Sequence, residues 1–132
     1  YLEAKAKSPK EPEPYYRLGE TYYTMGDYGQ ARQYFSEALG IDPDHFLSMY
    51  YVAQISYKEG DFGQAEKWML EALSRIPWRG IEAAWWIELG DWRLGWRDCA
   101  GARIAYADAR EIGAEEKLVE QKTEMLSKEC VP

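Results

Sequence analysis

One pattern occurs twice in this chain, and the interval between the copies limits the possible folds more than any other feature. The segment GDYGQARQYFSEALGIDP begins at Gly26, and GDFGQAEKWMLEALSRIP begins 34 positions later at Gly60. A unit of this size cannot bury its own apolar side chains, so copies at a regular period are typical of folds in which neighbouring units stack. The chain is therefore predicted to be a repeat protein.

A third copy follows if three residues are inserted between Pro77 and Trp86, within the segment IPWRGIEAAWW. Its aligned positions are Trp86, Leu89, Gly90, Asp98, Ala102, Tyr106 and Ala109. The opening segment YLEAKAKSP also matches the end of a repeat. We expect it to be the tail of a truncated upstream unit, with a flexible leader as the alternative.

Each unit is predicted to form two helices. Asp27 is followed three residues later by Gln30, a pair typical of an N-cap and its capping-box partner, and the second copy repeats it. Gly26 and Gly60 stand where the first helix would end, because glycine adopts a left-handed backbone at least cost. The dipeptide Asp42–Pro43 is predicted to cap and begin the following helix.

The recurring order of an aromatic residue, Leu-Gly, Tyr, Ala, Phe, Ala and Pro resembles the tetratricopeptide repeat family over about residues 12 to 116. The resemblance implies an all-α fold, a right-handed superhelical α-solenoid of stacked helix-turn-helix repeats. The predicted divisions are a truncated repeat at 1–11, three repeats at 12–45, 46–79 and 80–116, and a capping helix with tail at 117–132.

Repeat three departs from the pattern, because Arg93, Arg97 and Ala114 replace the residues aligned with Tyr22, Gly26 and Pro43. These replacements leave the geometry of its turn open. The segment that follows is predicted to be an amphipathic helix that covers the last repeat. Its expected apolar face consists of Leu118, Val119, Met125 and Leu126.

The net charge of −7 disfavours nucleic acids and anionic membranes as partners. No apolar run approaches the roughly 20 residues that span a bilayer, and direct membrane contact is not expected. No catalytic set or cofactor motif is visible, so an enzyme is not expected here. His45 lies near Asp42 and Asp44, but helix capping explains these aspartates better than a metal site does.

The two cysteines, Cys99 and Cys130, lack the spacing of a metal site. They are expected to be two separate thiols, and a disulfide between them is the alternative. Nothing in the sequence assigns a cellular compartment.

Four tyrosines are predicted to form a ladder on one side of the stack. Tyr16 and Tyr23 are seven residues apart, which places them on one face of a helix. Tyr50 and Tyr57 are their counterparts one repeat later. Tyrosine combines a large contact area with a polar tip, which suits a recognition surface. The alternative is that these rings pack against neighbouring helices.

The resemblance implies that the first helix of each repeat lines a concave groove. The expected partner-binding residues are Tyr16, Glu20, Tyr23, Tyr50, Gln54, Tyr57, Ile87 and Asp91. Some family members hold acidic chaperone tails with a clamp of Lys, Asn and Arg. The corresponding positions here are Tyr16, Glu20, Gln54, Ala84 and Glu88, so the clamp is absent.

These observations predict a protein-protein interaction module, an adaptor or scaffold that binds a peptide segment of a partner in the tyrosine-rich groove. One alternative is a self-assembling platform, in which Trp85, Trp92 and Trp96 would form an exposed apolar patch. Another is a regulatory repeat domain of a larger enzyme or membrane protein.

Overall fold

Seven helices make up the regular structure of the described chain. The computed structural model describes residues 11–130, with Arg79 described in its backbone only. The helices are α1 (Glu13–Thr24), α2 (Tyr28–Ile41), α3 (Phe46–Lys58), α4 (Phe62–Leu73), α5 (Arg79–Gly95), α6 (Cys99–Glu111) and α7 (Glu116–Glu129). No strand occurs among these residues, and the all-α prediction is confirmed. None of the described helices combines the length and apolar character needed to cross a membrane.

The first six helices fall in three pairs near the predicted repeats, and α7 follows them. Helices α5 and α7 each begin one residue before the expected division. The repeat boundaries remain a prediction. The proposed upstream remnant at 1–11 lies outside the described residues, except for residue 11.

The second helix of every pair begins with the same cap. An aspartate side chain accepts a hydrogen bond from the backbone N–H three residues later, and thereby satisfies one of the unpaired donors of the first turn. The donors are Gln30, Gln64 and Gly101, and the acceptors are Asp27, Asp61 and Asp98, at 3.3, 3.2 and 2.9 Å. The two predicted N-caps are confirmed, and the third follows the same rule. The predicted capping-box role of Gln30 and Gln64 is wrong, because the backbone N–H groups of Asp27 and Asp61 donate to the carbonyl oxygens of Tyr22 and Ser56.

The turn inside each pair has the same left-handed residue. Gly26 and Gly60 have φ angles of +83° and +82°, as predicted for glycine at a helix end. Arg97 takes the third position with φ of +71°. The turn inside repeat three therefore keeps the geometry of the other two, since an arginine adopts the conformation that glycine adopts elsewhere.

The predicted cap of α3 is also wrong. Asp42 ends α2, and its side chain accepts a hydrogen bond from the N–H of Asp44 at 3.1 Å. The backbone then turns, with the N–H of His45 3.1 Å from the carbonyl oxygen of Asp42. The N-cap is His45, whose Nδ1 accepts from the N–H of Ser48 at 3.3 Å.

The chain divides into two compact units, the first ending at Arg75 and the second beginning at Ile76. Unit 1 contains α1 to α4, and unit 2 contains α5 to α7. The core of unit 1 is built from Tyr15, Tyr16, Ala31, Phe35, Ala38, Val52 and Ile55. The core of unit 2 is built from Ile87, Ala102, Tyr106, Ala109, Val119 and Leu126.

Glycine permits the closest approach of helices within each unit. A Cβ atom on Gly19 would lie 2.6 Å from a ring carbon of Phe35, and one on Gly90 would lie 2.4 Å from the ring of Tyr106. Both distances are shorter than a real contact, so no larger residue fits without a shift of the ring. These two glycines let the first and second helices of their pairs pack around an aromatic ring.

Helix α7 covers the end of unit 2, as the sequence predicts. Val119 and Leu126 are 2% and 0% exposed and join the core. Leu118 packs against them, whereas Met125 is 43% exposed, so its predicted place on the apolar face is wrong. One residue corresponds to about 100° around a helix, so Met125 lies beside the buried face that Val119 and Leu126 form and not on it.

The two cysteines form a disulfide, contrary to the expectation of separate thiols. Cys99 is the first residue of α6, and Cys130 is the C-cap of α7. The sequence could not pair them, because their 31-residue separation brings them together only after the two helices have packed antiparallel. The bond joins the start of α6 to the end of the covering helix.

Candidate functional site

Tyr51 is the centre of a group of aromatic rings in unit 1. Its ring centroid lies 6.0 Å from that of Tyr16, 5.1 Å from that of Tyr23 and 5.7 Å from that of Tyr50. It also stacks on Phe35 of the core, with the two ring planes 5° apart and the centroids 5.0 Å apart. We call Tyr16, Tyr23, Tyr50 and Tyr51 the tyrosine cluster. It joins the first helices of repeats one and two, α1 and α3.

The members of the cluster differ in exposure. Tyr16 is 5% exposed and belongs to the core of unit 1. Tyr23, Tyr50 and Tyr51 are half-buried, so part of each side chain faces solvent. The alternative interpretation of the ladder, in which the rings pack against neighbouring helices, therefore holds for Tyr16. The surface that a partner can reach consists of the other three rings.

A single carboxylate links two rings of the cluster, Tyr16 and Tyr51. Oε2 of Glu20 accepts hydrogen bonds from the hydroxyl groups of Tyr16 and Tyr51, at 3.2 and 3.4 Å. Its other oxygen accepts from Arg17 at 3.0 Å. The Arg17 guanidinium also pairs with Glu13 at 2.8 Å and lies 5.6 Å from the centre of the Tyr16 ring. Glu20 thus positions the rings of Tyr16 and Tyr51, and its charge is paired with Arg17.

This environment keeps the two phenols protonated. Burial raises the pKa of the Tyr16 hydroxyl, and the Glu20 carboxylate raises it further. Burial also raises the pKa of Tyr51, again with Glu20 as the next cause. Both hydroxyl groups therefore remain hydrogen-bond donors to Glu20 throughout the neutral pH range.

The two remaining predicted residues of unit 1 lie further along α3. Gln54 and Tyr57 are both half-buried. The ring of Tyr57 lies 5.9 Å from that of Phe62, at the start of α4. Tyr57 is therefore not part of the tyrosine cluster, although it shares a helix with Tyr50 and Tyr51.

The predicted binding residues of unit 2, Ile87 and Asp91, make contacts within that unit. Ile87 is 8% exposed and belongs to the core. Asp91 on α5 accepts a hydrogen bond from the hydroxyl of Tyr106 at 2.7 Å, and it pairs with Lys122 of α7 at 3.0 Å. Burial raises the pKa of Tyr106, and the hydrogen bond to Asp91 raises it further, so this donor also stays protonated.

The same long-range link occurs in both units. Glu20 contacts Tyr51, and Asp91 contacts Lys122, and each pair is separated by 31 residues. In each case an acidic residue on the first helix of one pair meets a donor on the next helix but one. The expected binding residues leave out Tyr51, because the seven-residue ladder selects Tyr50 and Tyr57. A search for donors 31 positions after each acid would have found Tyr51.

The tryptophans do not form the predicted apolar patch. Trp85 and Trp92 are 7% and 5% exposed, which contradicts their expected role in self-association. Trp96 is half-buried. Trp78, which directly precedes α5, is 53% exposed.

The described residues contain no group of three or more His, Cys, Asp or Glu side chains placed to hold a metal ion. His45 is occupied as the cap of α3, and its ring lies 5.1 Å from that of Tyr16.

The first helix pair matches a known family model, described as the tetratricopeptide repeat, over residues 12–45. Residues 12–45 are therefore similar to a tetratricopeptide repeat. The predicted resemblance to that family is thereby confirmed, and the matched range equals the predicted extent of repeat one. The tyrosine cluster draws Tyr16 and Tyr23 from this repeat, and Tyr50 and Tyr51 from the helix that follows it.

Solved structures show the same helical repeat fold. The N-terminal domain of stress-induced protein-1 (STI-1) from C. elegans is 17% identical, covers 88% of this chain and 94% of its own, and has a TM-score of 0.77. MamA is 16% identical, with coverage of 97% and 73% and a TM-score of 0.81. The first TPR of Spaghetti (RPAP3), bound to the HSP90 peptide SRMEEVD, is 15% identical, with coverage of 89% and 91% and a TM-score of 0.74. A comparison with curated protein sequences gives no match.

Proposed function

We propose that this chain is a protein-protein interaction module that binds a peptide segment of a partner on the tyrosine cluster of unit 1. The observation that carries the proposal is a set of three half-buried rings in contact: Tyr23 and Tyr50 pack on Tyr51, whose hydroxyl donates to the Glu20 carboxylate. Rings that are already ordered lose little conformational freedom on binding, so their contact area contributes to affinity. No catalytic role is proposed.

The fold supports a peptide as the partner. One neighbour with this fold, the first TPR of Spaghetti (RPAP3), holds a peptide of HSP90. A fold alone does not define a ligand, so the choice of peptide has to come from the side chains of this chain.

Those side chains disfavour an acidic tail. The chain carries a net charge of −7, and the positions that correspond to the family's clamp include Glu20, Gln54 and Glu88. A carboxylate-rich peptide would be repelled at long range and would find no cationic clamp. We expect the preferred peptide to present apolar residues to the rings, with basic residues beside them.

The proposal is tested by selecting peptides from a random displayed library against the whole chain and measuring their affinity by calorimetry. Replacing Tyr50 with alanine should weaken binding about tenfold or more, as expected for an aromatic contact at the centre of an interface. The matched control is Tyr34→Ala, which removes the same side chain from α2, outside the cluster.

Circular dichroism must show that both variants remain folded. Equal affinities of Tyr50→Ala and Tyr34→Ala for every selected peptide would contradict the proposal. The peptide SRMEEVD serves as a second control, since an acidic peptide should bind far more weakly than the selected ones. A mass that rises with concentration, with no peptide selected, would instead favour the self-assembling platform.

A further inference from the structure

Unit 2 contains a pocket that the proposed tyrosine surface does not use. It has a volume of about 240 Å³ and lies between the first half of α5 and the start of α7. Most of its walls carry small or aliphatic side chains, so it offers an apolar surface. The residues that form these walls include Gly80, Ala83, Ala84, Ile87, Ala114 and Leu118.

Repeat one shows what fills the corresponding space when the pocket is absent. Ile87 aligns with Tyr16, in the register that also aligns Gly90 with Gly19. The ring of Tyr16 is buried and lies 5.1 Å from the ring of His45 at the start of α3. In unit 2, neither Ile87 nor the residues at the start of α7 carry a ring. By this alignment, the pocket lies beside the position at which repeat one carries an aromatic side chain.

The pocket is also lined by an acidic side chain, Glu115. The exposed Glu115 lines it and is the N-cap residue of α7, but its side chain makes no capping hydrogen bond. Its neighbour Glu116 is paired with Arg110 at 3.1 Å. Glu115 thus adds a carboxylate at the edge of an apolar pocket, and its charge complements a cationic group on a ligand.

We propose that this pocket binds an aromatic side chain of a partner peptide, next to a basic residue that pairs with Glu115. The inference rests on the proposed function, because it supplies a second anchor for a peptide-binding module. The aromatic ring would bury its surface against Ala84, Ile87 and Leu118, where it replaces water in an apolar space.

The test uses the whole chain and the capped dipeptide acetyl-Phe-Arg-amide, followed by methyl NMR. Signals of Ala83, Ala84 and Leu118 should shift on titration. Acetyl-Ala-Arg-amide should need about tenfold higher concentration for the same shift, since it lacks the ring. Acetyl-Phe-Glu-amide should also bind more weakly, because its carboxylate would face Glu115.

Two variants make the test specific. Ala84→Phe places a ring at the pocket wall and should abolish the shifts caused by acetyl-Phe-Arg-amide. Ala107→Phe is the matched control, because Ala107 is likewise an exposed alanine of unit 2 but lies on α6 and does not line the pocket. It should leave the titration unchanged.

Equal shifts with the Phe and Ala dipeptides, or an unaltered titration in Ala84→Phe, would overturn the proposal. The experiments distinguish failure of the pocket proposal from failure of the proposed function. If Tyr50→Ala weakens library-selected peptides but Ala84→Phe leaves both peptide and dipeptide binding intact, the pocket proposal fails and the proposed function stands. If the dipeptide binds as expected but Tyr50→Ala has no effect, the tyrosine surface fails instead.

Discussion

Pairs of small and large residues decide how closely the helices of each repeat approach. The rigid rings of Phe35 and Tyr106 each face a glycine, as the short distances from Gly19 and Gly90 show. The aligned positions of repeat two hold Ala53 and Met69, which are both fully buried. A flexible thioether can move aside for a methyl group where a ring cannot. The first helix therefore carries glycine where the facing side chain is a rigid ring, and alanine where the facing side chain is a flexible methionine.

Replacement of Gly19 by alanine should therefore destabilise the chain by about 1 to 3 kcal/mol, the usual cost of overpacking a buried contact. The double variant Gly19→Ala/Phe35→Met copies the arrangement of repeat two and should recover part of that loss. Urea unfolding of the parent, both single variants and the double variant gives the coupling energy between the two sites. Additive losses, with no recovery in the double variant, would show that the contact is not size-matched.

His45 makes stability depend on pH. Burial lowers the pKa of its imidazole, although the carboxylates of Asp42 and Glu13 act in the opposite direction. The unfolded chain therefore binds the proton more readily than the folded chain does. Stability contributed by neutral His45 is fully present above its unfolded pKa of about 6.5 and decreases as the pH falls below that value.

Unfolding experiments between pH 7 and pH 5 should show this loss. His45→Asn is the matched variant, because asparagine can also cap α3 but does not titrate in this range. Its stability should change less with pH than that of the parent. Since His45 is the single histidine of the chain, a parent and variant with the same slope would remove the imidazole as the cause.

Among the helices, α7 should be the one whose stability depends most on the disulfide. This helix buries only Val119 and Leu126 fully. We therefore expect its packing against α5 and α6 to depend strongly on the bond between Cys99 and Cys130. Closing a loop of this length removes unfolded-state entropy worth about 3 to 4 kcal/mol in the chain-entropy account.

The variant Cys99→Ala/Cys130→Ala should therefore lose backbone protection in α7 first. Hydrogen exchange followed by mass spectrometry would report faster exchange across Glu116–Glu129, with α1 to α3 nearly unchanged. Addition of a reductant to the parent should reproduce the effect. Equal protection of α7 with and without the bond would mean that packing alone holds the helix.

The elements that could be predicted from sequence are those decided within a few residues. The aspartate caps and the turn glycines depend on local hydrogen bonds and on backbone φ, so Asp27, Gly26 and Gly60 were predictable. The start of α3 was not, because the backbone turn from Asp42 leaves His45 as the first residue able to cap. The left-handed Arg97 was also unexpected, since the repeated fold imposes that turn on a residue that disfavours it.

The candidate site was predicted in part for the same reason. Helical periodicity correctly selected α1 and α3 as carriers of aromatic side chains. It did not show that Tyr16 is buried, because burial depends on the ring packing against Phe35 and His45 from other helices. Nor did it identify Tyr51 or the pocket in unit 2, which both depend on contacts between repeats or between a repeat and α7.

At the scale of the whole molecule, the chain consists of two units built on one repeated rule. In each unit an acidic residue of one helix pair binds a donor 31 residues later, Tyr51 in unit 1 and Lys122 in unit 2. Each unit also presents a feature suited to an apolar side chain, the tyrosine cluster in unit 1 and the pocket in unit 2. Under the two proposals, the chain should select a partner peptide by its aromatic and basic residues.

The most direct test of this account is an NMR titration of the whole chain with a library-selected peptide, with assigned amide and aromatic signals. The account predicts that the largest changes in unit 1 fall on α1 and α3, at Tyr23, Tyr50 and Tyr51, and that Tyr34 of α2 changes little. Changes concentrated on α2 and α4, with the tyrosine cluster unaffected, would contradict the central claim that these rings form the recognition surface.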